Sequence, residues 1–452
     1  MALKPSASEQ GPQTPGQDPH TPGPISTSSG IGHPWWTIIA PVLAWILFAG
    51  TALVADTPHP VSGTASHAAS GVAAAAHAAS AAHSTPGVGL LYSILLAIAL
   101  ISSVLAAVHH AETIAHRVGE PYGALVLAVA VTSIEVALII SLMLTPGHDT
   151  ATLARDTVFA AEMIIITGIV GGCLLLGGVK FREQTFGLDG VSAALIVLTA
   201  ISVFALILPN YTSSIPGPYY NNKQLAFVAI VSLILYGTFL LIQTIRHRSY
   251  FLPADEQPNE GPKSQPNEPA SSQPRATTSP EPRATDSSEP RATASPAHPP
   301  SNSTTYISIV FLLISLAIVV VLAEFLAPGI EAGVDSVGAP KSLVGIIIAM
   351  VVLLPEGLSA LNAAKNNQLQ SSLNLALGSA LASIGLTIPA VAFVSIYQGL
   401  PLTLGLDTKS TVIYLLSLFI ILISLRTGRT TLLQGVVLLV IFAVYIFTTI
   451  VP

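Results

Sequence analysis

The fold this sequence predicts is an all-α polytopic membrane protein, with one N-terminal helix followed by two inverted five-helix repeats. Three observations lead there. Charge is sparse: 9% of the 452 residues are Asp, Glu, Lys or Arg, against roughly 25% in a soluble domain, so there is too little polar surface to cover a soluble globule. Mean hydropathy is +0.69, and the apolar residues fall in blocks of about 20, the length that crosses a bilayer's hydrocarbon core. One long polar interruption then divides those blocks into six and five.

The blocks lie near 36–55, 89–108, 121–144, 156–178, 188–208, 224–245, 306–327, 342–363, 372–396, 410–425 and 431–451. In lipid every backbone polar group must be satisfied within its own span, so these are expected to be helices. The span at 410–425 is the shortest. Residues 1–34 are rich in Pro, Ser, Thr and Gly without an apolar core, so a disordered tail is expected. The block at 35–56 is long enough to span, which argues for a retained helix and against a cleaved signal. Residues 57–88 form a His/Ala/Ser-rich outer loop, 89–250 a first membrane half, 251–305 a Pro-rich linker and 306–452 a second membrane half. The linker repeats Pro-Arg-Ala-Thr from Pro274, Pro282 and Pro290; such composition cannot bury a core and reads as a tether. With the first helix set aside, each half has five spans. Five is odd, so the halves run oppositely through the membrane, the inverted-repeat plan common in secondary transporters.

Orientation follows from the short loops. With the N-terminus in the cytoplasm, the inner loops hold Arg117, Lys180, Arg182, Arg246, Arg248, Lys365, Arg426 and Arg429, and the outer loops hold Arg155, Lys223, Lys341 and Lys409. That excess obeys the positive-inside rule. The net charge of −6 and the lack of a basic stripe give no footprint for nucleic acid. Cys173 is the only cysteine, so no internal disulfide is possible.

An ionisable side chain within a span is costly and is a functional candidate by default. Glu135 lies mid-span in Ala-Val-Thr-Ser-Ile-Glu-Val-Ala-Leu-Ile, and Glu356 lies mid-span in Val-Val-Leu-Leu-Pro-Glu-Gly-Leu-Ser. Each is in the second helix of its half. A glutamate paired with a neighbouring helix only for packing is the plain alternative for each. Thr132 precedes Glu135 by three residues and Ser359 follows Glu356 by three, so each is expected on its glutamate's helix face. Pro355 removes a backbone donor, freeing a carbonyl that is a candidate cation ligand; a packing kink is the alternative. Residues 374–385 are dense in small residues, which lets helices approach closely. Asn374 and Ser379 there also offer oxygen ligands. Glu162, early in the fourth span, is a candidate third carboxylate or an interfacial one. Glu120 precedes Pro121 at a helix start, where an acid either caps the helix or gates the site. His109, His110, Glu112 and His116 sit between the second and third spans, where interfacial solvation competes with a proton relay. The outer His59, His67, His77 and His83 match no compact metal motif.

Carboxylates with hydroxyl and carbonyl oxygens suit hard cations such as Ca²⁺. Two carboxylates neutralise one divalent ion, and a desolvated carboxylate left without its cation favours a proton. Cation and protons would then compete for Glu135 and Glu356, and alternating access would turn that competition into exchange. No resident cofactor is expected; the bound species are the transported cation and protons. A passive channel would more naturally show filter-like repeats or rings of charge. An intramembrane enzyme lacks a His-Glu-x-x-His pair or a deep histidine to work with.

His110-Ala-Glu-Thr-Ile-Ala-His-Arg-Val-Gly-Glu-Pro-Tyr-Gly123, Glu135, Arg155-Asp-Thr-Val-Phe159 and Leu174-Leu-Leu-Gly-Gly-Val-Lys180 form an ordered series of motifs. It continues in Pro355-Glu-Gly-Leu-Ser-Ala-Leu361, Asn366-Asn-Gln-Leu-Gln370, Gly378-Ser-Ala-Leu-Ala-Ser383 and Ser424-Leu-Arg-Thr-Gly-Arg429. Together they resemble the ChaA-type bacterial antiporters of the cation/Ca²⁺ exchanger superfamily, over roughly 90–250 and 305–452. The resemblance implies Na⁺/H⁺, K⁺/H⁺ or Ca²⁺/H⁺ exchange at a cytoplasmic-type membrane. It also implies cation and proton binding at Glu135 and Glu356, and inverted five-helix halves. The Pro-rich linker departs from the acidic or His-rich stretches of such relatives, and the extended N-terminus and His/Ala loop depart as well.

Overall fold

The computed structural model describes residues 34–55, 86–118, 122–144, 151–251, 301–336, 338–340 and 342–451. The N-terminal tail, the outer histidines, Glu120 with Pro121, Lys341 and nearly all of the Pro-rich linker lie outside the described residues. Among those described, each expected span is a helix: α1 Trp35–Ala55, α2 Pro86–Val118, α3 Tyr122–Leu144, α4 Leu153–Phe181, α5 Leu188–Tyr211 and α6 Asn222–Arg246. The second half supplies α7 Asn302–Ser336, α8 Ser342–Lys365, α9 Leu369–Gln398, α10 Thr408–Ser424 and α11 Leu432–Ile450. Eight of the described helices are long and apolar enough to cross a membrane, and α1, α3 and α10 are apolar over shorter stretches. The chain is an all-α polytopic membrane protein.

α10 starts where its sequence supplies a cap. The Asp407 carboxylate accepts from the Ser410 N–H at 3.3 Å, satisfying one of the helix's free N-terminal donors. Partial burial opposes the charge on Asp407, but bonds from Ser410 and the cations Lys409 and Arg155 win, holding the carboxyl below its usual range. α2 runs on to Val118, so His109, His110, Glu112 and His116 are helical and do not form a loop between spans. α4 changes from α to π geometry over Ile164–Ile169, two residues on from Glu162; such single-turn bulges often mark functional positions.

The helices pack crosswise between the halves. α4 lies against α8 and α11 of the second half, and α9 lies against α3 and α6 of the first. Exchanging the halves converts either set of contacts into the other. The short strands obey the same exchange. β1 (Glu183–Thr185), in the α4–α5 connection, pairs antiparallel with β2 (Arg429–Thr431), in the α10–α11 connection. At the far ends of α5 and α10, Tyr219 in the α5–α6 connection bridges Thr403 in the α9–α10 connection. One contact is the counterpart of the other at the opposite face, which is the signature of two inverted repeats.

Backbone proximity sets the crossings. A Cβ at Gly435 on α11 would lie 2.4 Å from the Leu175 nitrogen on α4, and one at Gly385 on α9 would lie 2.9 Å from the Tyr236 Cβ on α6. Without a hydrophobic drive between helices in lipid, this close van der Waals approach is a main source of cohesion. The core forms two clusters. One unites α3–α6 with α8–α11; the other joins α1, α2 and α7 to the outer faces of α3 and α8.

Candidate functional site

α3, α4, α8 and α9 converge midway along their lengths, and each brings an oxygen-bearing side chain. Glu135 on α3 is 5% exposed, and its Oε1 accepts from the Ser383 hydroxyl on α9 at 2.6 Å. Glu356 on α8 is 7% exposed, and neither of its oxygens has a hydrogen-bond partner among the described residues. Glu356 lies within range of the charge of Glu135 and of Glu112. An unpaired buried carboxylate is costly unless it is protonated or bound to a cation.

The backbone reason for this placement is local. Pro355, inside α8, cannot donate to the carbonyl four residues earlier, at Val351, so that oxygen loses its α-helical donor in the turn preceding Glu356. Gly357 lets α4 approach: a Cβ there would meet Ile169 at 3.3 Å. With Gly345 beside Thr157, Gly357 beside Ile169 and Leu361 beside Gly172, α4 and α8 keep one register. It sets Glu356 level with Gly168, in the π segment of α4. A narrow cavity runs from Glu135 past Leu138, Ile139, Thr157, Ile348 and Val352. It leads toward the face where α3 ends and α4 and α8 begin.

The other expected residues divide. Thr132 is buried, 4% exposed, one turn before Glu135. Ser379 is half-buried one turn before Ser383. Ser359 is corrected: it is exposed, because the buried edge of α8 runs through Glu356, Gly357 and Ala360. Asn374 is corrected too. It lies nine positions before Ser383, about 13 Å along the helix, and its amide donates to the Phe251 carbonyl at 2.7 Å while its oxygen accepts from Gln370. It anchors the chain after α6 to α9. Glu162 is fully buried at 0% exposure, so it is not a solvated acid; its polar neighbour is the Tyr414 hydroxyl of α10. His110 is likewise no solvated interfacial residue. It is fully buried, with Nε2 3.2 Å from the Thr37 carbonyl of α1, Nδ1 3.5 Å from Ser308 Oγ of α7 and its ring stacked on Phe311.

Sequence reading did not single out Ser383 as the partner of Glu135, although Ser379, Ser383 and Thr387 recur every fourth residue and form one stripe on α9. The Thr387 and Thr157 hydroxyls are buried without partners among the described residues. It also missed Glu324, an acid in the apolar run of α7 whose Oε2 accepts from Ser141 Oγ on α3 at 2.9 Å.

A family model described as sodium/calcium exchanger protein matches residues 87–245 and 307–451. The chain is 42% identical to the putative ionic transporter y4hA of Sinorhizobium fredii, covering 82% of this chain and 92% of that protein. It is 36% identical to the sodium-potassium/proton antiporter ChaA of Escherichia coli K12, covering 79% of this chain and 88% of that protein. Among solved structures, native YfkE superposes with a TM-score of 0.59 at 14% identity, over 90% of this chain and 100% of that one. The H⁺/Ca²⁺ exchanger CAX superposes with a TM-score of 0.57 at 14% identity, over 91% and 88%. At that identity the two structures speak for the fold.

Proposed function

The chain belongs to the sodium/calcium exchanger protein family, and on that footing we propose that it exchanges Ca²⁺, Na⁺ or K⁺ for protons at Glu135 and Glu356. It is a secondary active transporter and not an enzyme, and nothing favours the channel alternative. The observation that carries the proposed site is the buried pair itself. Two carboxylates from corresponding helices of inverted halves, one held by Ser383 and the other unpartnered, form a site that must be neutralised to be stable in the membrane. A cation does this by ligation, with the Ser383 and Thr132 oxygens and the Val351 carbonyl as further ligands. Protons do it by converting each carboxylate to an acid. Because both occupants use the same oxygens, each expels the other, and reorientation of the halves around the site exposes it to one face and then the other. For Ca²⁺, two protons balance the pair. We assign the chain to a bacterial cytoplasmic membrane with the N-terminus inside, supported by the basic excess of the inner loops.

The test uses inside-out vesicles with an imposed pH gradient and a fluorescent pH probe. Ca²⁺, Na⁺ or K⁺ is expected to dissipate the gradient, and Glu135→Gln and Glu356→Gln are each expected to abolish this. A wild-type protein that moves no protons with any of these cations, or variants that match it, would overturn the reading.

A further inference from the structure

The cavity that starts at Glu135 has an uneven lining. Only Glu135 and Thr157 bring side-chain oxygen to it; the rest of its wall is Leu, Ile, Val and Ala from α3, α4 and α8. Thr157 is 1% exposed, and its hydroxyl has no hydrogen-bond partner among the described residues. Other threonines of these helices settle that group on the carbonyl four residues earlier. Thr199 donates to Leu195, Thr238 to Ile234 and Thr244 to Leu240, each at 2.7 Å. A buried hydroxyl that forgoes such a bond is costly unless another group takes it up. The neighbouring acid does not serve the cavity in its place, because the Asp156 carboxylate is bound to Arg155 at 2.7 Å. Thr387 on α9 also lacks a partner among the described residues, but it does not line the cavity.

Gly345 of α8 stands opposite Thr157, where a Cβ would lie 3.5 Å from Thr157 Oγ1. Glu356 comes eleven residues later on α8, about 16 Å along the helix. Thr157 is therefore too distant to share one cation with Glu356. It lies instead on the way from the pair to the face where α4 and α8 begin. A cation on that way has aliphatic walls around it, and a hard cation takes oxygen ligands. Thr157 supplies the side-chain oxygen beyond Glu135. Its hydroxyl is neutral, so it holds a cation without the charge that would trap it, as passage requires.

We propose that Thr157 is a relay ligand on the outer access route, separate from the cation pair. When the halves reorient outward, the cation passes from Glu135 to the Thr157 hydroxyl and then to the outer solution; a cation entering from outside takes the same steps in reverse. This rests on the exchange reading above.

The test supplies Ca²⁺, Na⁺ or K⁺ to one face or the other, using right-side-out and inside-out vesicles. Thr157→Val keeps the side chain's shape and removes its hydroxyl. It is expected to raise the half-saturating cation concentration about tenfold for supply at the outer face, and to leave the inner-face value where it is in wild type. Thr157→Ser is expected to restore the outer-face value. Any other pattern in Thr157→Val, an equal rise at both faces included, overturns the relay, and so does a Thr157→Ser that fails to restore it. If Thr157→Val does not assemble, Gly345→Ala carries the test by setting a methyl against the hydroxyl. The same one-sided rise is expected, and an unmoved value overturns the relay. Wild-type vesicles in which no cation moves protons from either face would overturn the exchange reading and the relay with it. Wild-type exchange beside unaltered variants strikes the relay alone.

Discussion

At the scale of single residues, the proposed site rests on the hydroxyl that holds Glu135. Ser383 donates to Glu135, and a donor on a carboxylate favours its ionised form. Ser383→Ala therefore strengthens the proton against the cation. A hydrogen bond to a charged group is worth about 1.5–3 kcal/mol, so the cation concentration for half-maximal exchange is expected to rise about tenfold or more at fixed pH. Titrating exchange in vesicles with the cation checks this. Asp407 poses a different question, one of stability. Its folded-state carboxyl is held below the unfolded value, so its contribution is complete above the unfolded pKa and disappears as pH falls through the folded one. Asp407→Ala is expected to lower stability by about 0.5–2 kcal/mol at neutral pH, with the gap from wild type closing in acid. Melting curves in detergent across pH measure both. Glu135 and Glu356 were legible as lone acids in apolar runs. Ser383 was not, because a serine in a small-residue segment reads as packing until the crossing of α3 and α9 identifies what it faces. Asn374 misled for the converse reason: its amide looks like a ligand in sequence, and its partner, the Phe251 carbonyl, lies 123 residues away.

At the scale of helices, the sequence was most readable where the solvent imposes a length. Each run of about 20 apolar residues became a helix because lipid permits no other spanning structure for such a chain. Where the chain leaves the hydrocarbon, that rule lapses, which is why the continuation of α2 through His110 to Val118 was not seen. The π segment of α4 was hidden as well, since Ile164–Ile169 has no residue that marks it. The glycines carry a sharper lesson, because their meaning depends on what crosses them. Gly435 faces the Leu175 backbone at 2.4 Å from a would-be Cβ, whereas Gly237 on α6 meets nothing within 4 Å. Gly435→Ala is therefore expected to force α4 and α11 apart and lower the melting temperature. Gly237→Ala is expected to leave it unchanged or raise it, since alanine is the better helix former by about 0.5–1 kcal/mol. A thermal-shift comparison of the two variants separates crossing from propensity.

At the scale of the molecule, the odd number of spans in each half was enough to foresee inversion, and the exchange of β1–β2 for Tyr219–Thr403 across the bundle is its structural form. The interleaving was not foreseeable, because hydropathy reports which segments cross the membrane but not which ones touch. It implies that the covalent join between the halves is dispensable once both are present. Two chains co-expressed as 1–251 and 301–452 are expected to assemble and restore cation-driven proton movement, while either alone is expected to be inactive; the pH-gradient assay on the same vesicles decides.

The order in which the helices leave the ribosome gives the α4–α11 contact a further consequence. The glycine-bearing face of α4 is made with the first half, but its partner α11 belongs to the second. Until α11 arrives that face meets lipid, which cannot follow the contour left by Gly171 and Gly178 as closely as a helix does. The two-carboxylate centre likewise needs α8 and α9 beside α3 and α4, so it closes only after the second half has been delivered to the membrane. A nascent chain thus carries no finished ion path while it is still being built.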